Sequence, residues 1–349
     1  MKARQQGRAC VTCNSHTAVK IGKRRNKFAS IQRYKCSLCR KTFSNSEQNH
    51  LKNKSYPVKI ILNAVSHYNF GHTQSEVAKC ISRKHTIPVP QKTISNWLSE
   101  YKSICSFSRL RKQAIKHHIP KDIIHTQIMH HLQPYAFKFH KAKLNILLKE
   151  NMQFAELKNY LEKICTKDFP HHIFTYNKNK ESKQQQNEQR ASQLQFKHLG
   201  IKIFHTTNQS NQLAKLAMHL AHSNKQRHQA IQDFMLINDS TTIATEVPIY
   251  LTNWDAGYYR NQRGFVFPLG NYTTPITGHI DILQIRNGCI HILDYKPNAD
   301  QQKPVEQLTL YALALSRKLN LQLSHFKCAW FDDKDYFEFF PLHAVYERN

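Results

Sequence analysis

The chain has 349 residues, enough for two or three domains, with 40% hydrophobic residues and a formal net charge of +28. No apolar run approaches the ~20 residues of a membrane span, and the opening MKARQQGRACV lacks the apolar stretch of a signal peptide. This excludes an integral membrane protein and argues against secretion. Nine cysteines, an odd number with no export signal, point to a reducing cytoplasm rather than a disulfide framework. The charge is divided unevenly. Residues 1–200 hold 37 Lys+Arg and 10 Asp+Glu, a net of +27, whereas residues 201–349 hold 14 and 13, a net of +1. A basic front of this kind releases counterions from a polyanion, so nucleic acid is the expected partner. No helix at the front pairs a basic face with Trp, Phe and Leu, so a membrane surface is not expected.

The head, residues 1–45, carries Cys10-Val-Thr-Cys13 and Cys36-Ser-Leu-Cys39 with 22 residues between the pairs. Two residues between thiolates let one turn present both sulfurs to the same ion, and two such knuckles complete a tetrahedral Zn²⁺ site. His16 and His50 are alternative ligands that the symmetric pairs make unnecessary. Residues 19–34, with Gly22, suit a hairpin, and a segment this small needs the metal for stability. The first 46 residues hold twelve Lys/Arg and no acid. With Arg33-Tyr34 and Phe43, this stretch resembles the zinc ribbon that opens many insertion-sequence transposases.

Residues 55–105 read as helical. Thr73-Gln-Ser-Glu76 is a capping box opening a helix from Gln74 to Ile81. After a turn through His85–Pro88, a second helix follows Pro90. Its Ile94, Trp97, Leu98 and Tyr101 recur at helical spacing, and Gln91, Lys92, Ser95 and Asn96 occupy the opposite face, suited to base edges or phosphates. The Thr-Ile-Ser-Asn-Trp-Leu stretch resembles the helix-turn-helix of transposases and recombinases. Residues 106–176 form a basic middle region of unassigned fold. Within it, residues 136–144 suit a strand and residues 154–164 an amphipathic helix. Its histidine pairs (His117, His118, His130, His131, His171, His172) suit a surface rather than a metal site. The polar stretch at 177–195 reads as a linker.

The block from residue 196 onward holds the candidate chemistry. Two Ile/Leu-rich runs flank Asn287-Gly288, a strong hairpin signal. The first run carries Asp281 and the second ends Asp294-Tyr-Lys296, with Asp294 and Lys296 on one face. Charges there need partners, either a divalent cation between the two carboxylates or a structural Asp–Lys ion pair. Pro304 starts a helix that sets Gln307 and Tyr311 one turn apart. The order Gly-x-x-Asp, Asp-x-Lys, Gln-x-x-x-Tyr resembles the RecB-like branch of the PD-(D/E)XK nuclease superfamily over about residues 241–331.

That resemblance implies an αβββαβ restriction-endonuclease-like core. It assigns Asp281 and Asp294 to a Mg²⁺ or Mn²⁺ ion, makes Lys296 the catalytic lysine, and makes Gln307 and Tyr311 DNA or active-site contacts. The branch also uses an upstream acid and a histidine. Glu246 fits the acid, and His228 fits the histidine with His219 and His222 competing. Only Cys328 follows the core, so no iron–sulfur cluster is expected. The whole reads as a multidomain chain of zinc ribbon, helix-turn-helix and α/β core. Its expected function is a metal-dependent DNA endonuclease of a prokaryotic nucleoid, serving a mobile element or genome defence, with further copies of itself or recombination proteins as partners. A DNA-binding regulator with an inactive nuclease fold is the alternative. A transposase using three carboxylates on an RNase-H-like fold would have no need of Asp-x-Lys or Gln-x-x-x-Tyr.

Overall fold

The computed structural model describes residues 9–25, 30–44, 56–131, 133–164, 189–196, 199–221, 223, 226–265 and 275–346. The protein is a mixed α/β chain with a small N-terminal sheet, a helical region and a large mixed sheet. The small sheet is antiparallel, in the order β1 (Ala18–Arg25), β2 (Ser30–Cys36), β3 (Thr42–Ser44). Gly22 lies at an irregularity in its register with φ +117°, a backbone conformation that favours glycine.

Three helices follow, α1 (Val58–Asn69), α2 (Gln74–His85) and α3 (Gln91–Tyr101). The capping box is present, with Glu76 N–H donating to Thr73 Oγ1 at 3.2 Å and Thr73 N–H to Glu76 Oε2 at 2.7 Å. The second helix runs a turn beyond Ile81 and ends at Thr86, whose φ of 55° stops it. Ile94, Trp97 and Tyr101 are buried, and α1 packs on both other helices. A short helix α4 (Arg111–Ala114) aims Arg111 at the end of α1, donating to the carbonyls of Tyr68, Gly71 and His72.

The large sheet has the order β4-β5-β8-β9-β10-β11-β12-β7, with β6 paired to β9. Its edge comes from the middle region. Strands β4 (Ile124–His131) and β5 (Gln133–His140) form a hairpin, and β5 pairs with β8 through Lys138 and Phe139. The residues expected as one strand, 136–144, divide at His140, where α5 (Lys141–Glu150) begins, and α6 (Ala155–Ile164) matches the expected amphipathic helix. Of the paired histidines, His117 is exposed and His118 half-buried, while His171 and His172 lie outside the described residues, as does His50.

Residues 177–188 of the expected linker also lie outside them, but β6 (Gln189–Arg190) pairs with β9, and Ala191 and Phe196 are buried in the core. The C-terminal order is β7 (Phe204–Thr206), α7 (Gln209–Ala217), α8 (Arg227–Asn238), β8 (Thr242–Leu251), α9 (Asn253–Arg263), β9 (Ile276–Arg286), β10 (Cys289–Tyr295), α10 (Val305–Leu319), β11 (Phe326–Phe331), β12 (Tyr336–Phe339) and α11 (Leu342–Val345). With α9 set aside, α8-β8-β9-β10-α10-β11 is an αβββαβ succession. The β9–β10 turn takes positive φ at both Asn287 (52°) and Gly288 (70°), matching the right-handed twist of the strands it joins. Helix α10 crosses over to make β10 and β11 parallel.

One apolar cluster joins α5, α6 and α10 to the sheet. A second joins α1–α3 to α7, α8 and sheet residues such as Ile282, Leu293 and Phe331. Buried Asn69 of α1 donates to Asn238 Oδ1 of α8 at 2.9 Å, and Asn238 donates to Ser66 Oγ at 2.9 Å. Lys143 of α5 donates to the carbonyls of Leu236 and Asp239 at 2.5 and 2.6 Å, tying down the end of α8. The apolar core thus runs across the divisions drawn from composition.

Candidate active site

Strands β8 and β9 run antiparallel so that Thr245 faces Ile282 and Val247 faces Ile280, which brings Glu246 and Asp281 together. Glu246 has φ +52°, a sparsely populated conformation for a side-chain-bearing residue inside a strand. Helix α8 lies against them. Its His228 and Gln232, four residues apart, share a face. His228 Nε2 is 3.0 Å from Asp281 Oδ2 and 3.9 Å from Glu246 Oε1, and Gln232 donates to Glu246 Oε1 at 2.6 Å.

Asp294 is buried on β10, with only 3% of its side chain exposed, and its Oδ2 lies 2.8 Å from Lys296 Nζ. On α10, Gln307 Nε2 donates to the Tyr311 hydroxyl at 3.0 Å. Gly278 makes that approach possible, because a Cβ there would lie 2.4 Å from Tyr311 Cε1. The expected residues Asp281, Asp294, Lys296, Gln307, Tyr311, Glu246 and His228 thus converge. All but Asp294 line one cleft of about 560 Å³, with Asp294 held behind Lys296. His219 lines a different recess, beside Glu100 and Asn211, and His222 lies outside the described residues.

Several wall residues were not among the sequence candidates. His279 Nδ1 lies 3.6 Å from Glu246 Oε2, and its ring sits 4.0 Å from that of Tyr135 in the β4–β5 hairpin. The period of two in Gly-His-Ile-Asp sets His279 and Asp281 on the same face, a signal available in the sequence. Lys138 and Arg190 also line the cleft, and Lys138 pairs with Asp233 of α8 at 2.5 Å. No short-range pattern points to them.

The electrostatics are those of a cation site. Burial works against a charge on His228, but Asp281, Glu246 and Asp294 outweigh it and push the imidazole up to about 9. Burial likewise opposes ionisation of Asp281, and His228 and Lys296 overcome it, holding that carboxyl well below the usual range. Asp294 is driven the other way, by burial and by the charge of Asp281. Lys296 is raised, Asp294 outweighing its burial. A site that draws a proton onto His228 has a negative potential that a metal ion would relieve equally well. The donor atoms of His228, Glu246 and Asp281 all lie within 4.8 Å of one another, and two carboxylates with one imidazole fit a divalent metal.

The four cysteines of the head form another such group. Cys10 and Cys39 sulfurs are 3.6 Å apart, as are those of Cys13 and Cys36. That is too long for a disulfide and close to the edge of a tetrahedron with Zn–S of ~2.3 Å. Amides of Thr12 and Cys39 point at Cys10 and Cys36 sulfurs at 3.4 Å, as suits thiolates. The cluster fits a structural zinc. A third group, Asp300, Asp332 and Asp335, is already engaged locally, since Asp332 accepts amides from Ala299, Lys334 and Asp335. Along α3, Gln91, Lys92, Ser95 and Asn96 are all exposed.

Residues 172–335 match the PD-(D/E)XK nuclease superfamily. The match begins after the β4–β5 hairpin, so one wall of the cleft lies outside it. No curated protein and no solved structure matches the chain. Among the described residues, no helix is long and apolar enough to cross a membrane.

Proposed function

We propose that the chain is a metal-dependent endonuclease that hydrolyses phosphodiester bonds in DNA. In this reading the zinc ribbon and the exposed face of α3 bring it to its target, in the service of a mobile element or of genome defence. The observation that carries it is the convergence of His228, Glu246, Asp281, Lys296, Gln307 and Tyr311 on one cleft, from two strands, the residue just after a third, and two helices. His228, Glu246 and Asp281 would hold Mg²⁺ or Mn²⁺, with Asp294 close behind. The ion would supply charge neutralisation at the attacked phosphate.

The chain's own groups do the rest. Asp294 fixes the Lys296 ammonium at 2.8 Å, where it steadies negative charge and orients the attacking water. Gln232 holds the Glu246 carboxylate, and Gln307 with Tyr311 positions the strand. Gln91, Lys92, Ser95 and Asn96 contact bases or phosphates. The regulator reading leaves the ionised Asp281 and the paired Lys296 without a task.

The test is cleavage of linear, supercoiled and single-stranded DNA with and without Mg²⁺. Cutting should need the metal, and Asp281→Ala and Asp294→Ala should each reduce it to background while DNA binding persists. Metal-independent cutting, or cutting that survives Asp294→Ala, would remove the proposal.

A further inference from the structure

Helix α9 is an insertion between the strand carrying Glu246 and the strand carrying Asp281, and the proposed chemistry leaves it without a task. Its first turn displays Trp254 at 89% exposure, whereas the other two tryptophans, Trp97 and Trp330, are 6% and 1% exposed. An indole that open is not contributing to a core. The turn itself is rigid. Thr252 and Asp255 form a capping box, with bonds of 2.9 and 3.2 Å, and Asp255 is further held by Arg317 at 3.3 Å and Lys318 at 3.7 Å.

Beside Trp254 lies a recess of about 450 Å³, lined also by Asn253, Tyr258, Arg260, Asn261 and Arg317. Its described lining has cations, amides and aromatic rings but no carboxylate. The Arg317 guanidinium stacks 4.2 Å above the Tyr258 ring, and Arg263, outside the recess, donates its Nε to the Tyr258 hydroxyl at 2.8 Å, so the ring and Arg317 are held in place. Arg317 shares its charge with Asp255, but that carboxylate is buried behind the recess, so the recess itself presents guanidinium groups and no carboxylate and is complementary to a polyanion. A planar indole, amide donors and fixed guanidinium groups together suit an unpaired nucleotide, its base on the indole and its phosphate on the arginines.

Helix α10 connects the two places. Gln307 of the cleft and Arg317 of the recess are ten residues apart on it, about 15 Å along the axis.

We infer that the α9 recess is a second contact for the nucleic-acid strand, holding an unpaired nucleotide of a strand that also occupies the catalytic cleft. This rests on the nuclease reading for its ligand class but not for its readout. The experiment uses the full chain with its zinc and no added divalent metal, so that nothing is cut. Acrylamide quenching of tryptophan emission reports Trp254, because the other two indoles are buried.

A single-stranded oligonucleotide should shield Trp254, a blunt duplex of the same length should not, and the shielding should vanish in Trp254→Phe protein. Arg260→Gln should weaken the shielding, and Trp254→Ala should lower single-strand affinity by about 10-fold, the loss of one stacking contact. Binding that leaves Trp254 accessible, or equal shielding by duplex, would overturn the inference alone. Shielding that rises with protein concentration in the absence of DNA would assign the recess to a second copy and overturn it too. A full chain that binds no nucleic acid at all would overturn the nuclease reading itself.

Discussion

The four-cysteine ribbon and the cleft domain keep order by opposite means. In the ribbon, strand β1 is exposed along nearly its whole length, and among the described residues only Cys10, Tyr34, Cys36 and Phe43 are buried. In the cleft domain, strand β10 is buried at six of its seven positions, and its charges lie inside, paired. The ribbon carries its cations in water and holds its shape with four sulfurs and one aromatic stack, Tyr34 on Phe43. The cleft domain buries its acidic charges and uses each to set the state of the next. The comparison teaches where each half is vulnerable: the ribbon to loss of its ligands, the cleft to loss of one partner.

The largest effect should fall on the ribbon. Cys36→Ser with Cys39→Ser should release one zinc per chain by elemental analysis and erase amide protection across residues 18–44. Metal-dependent cutting of non-specific DNA should persist. A variant that keeps its zinc would break the comparison.

In the cleft, Lys296→Ala should leave DNA binding intact and slow cutting by ~10²–10³, the usual loss for one electrostatic contact to a developing charge. Full cutting by Lys296→Ala would show that the pairing with Asp294 is only structural.

A smaller effect tests burial itself. His291 on β10 is held down to about 3 by burial and by Arg286 and Lys327. An unfolded chain takes up this proton as pH falls through about 6.5, whereas the folded chain refuses it until about 3. The unfolded state then binds more protons, so stability should fall on acidification, by about 2 kcal/mol at pH 5. Denaturant titrations at pH 7 and pH 5 should show a shallower loss for His291→Asn than for the unaltered chain. An equal loss would mean that His291 is not the group excluded.

The smallest effect lies in the helical region, where Thr73→Ala removes the side-chain cap of α2 at a cost of about 1 kcal/mol. A loss of several kcal/mol by thermal melting would show that the cap supports more than its own helix.

What the sequence made legible was local. The Asn287-Gly288 turn, the Thr73–Glu76 box and the Cys-x-x-Cys knuckles are read within a few residues, and each is present. Of the cleft residues, Asp294 with Lys296 and Gln307 with Tyr311 were legible from a strand and a helix period. Asp281 stood out only as a charge in an apolar run, and Glu246 and His228 were expected only from the family resemblance. The β4–β5 hairpin was not. Its place depends on Lys138 meeting Thr245 and Phe139 meeting Ala244, more than a hundred residues away, and alternation around Phe137 and Phe139 does not name a partner strand. The histidine at 228 could not be told from that at 219 by pattern, because the choice is made by which turn of helix faces Asp281.

The buried amide pair between Asn69 and Asn238 has a thermodynamic consequence. Asn69 on α1 donates to Asn238 on the helix that carries His228, away from water and inside an apolar cluster to which both halves contribute. Separating the halves would strand both amides and uncover Ile61, Trp97, Phe234 and Leu293 together. Helices α1–α3 and the cleft should therefore melt cooperatively, in a single heat-capacity peak, with the four-cysteine ribbon alone free to unfold on its own.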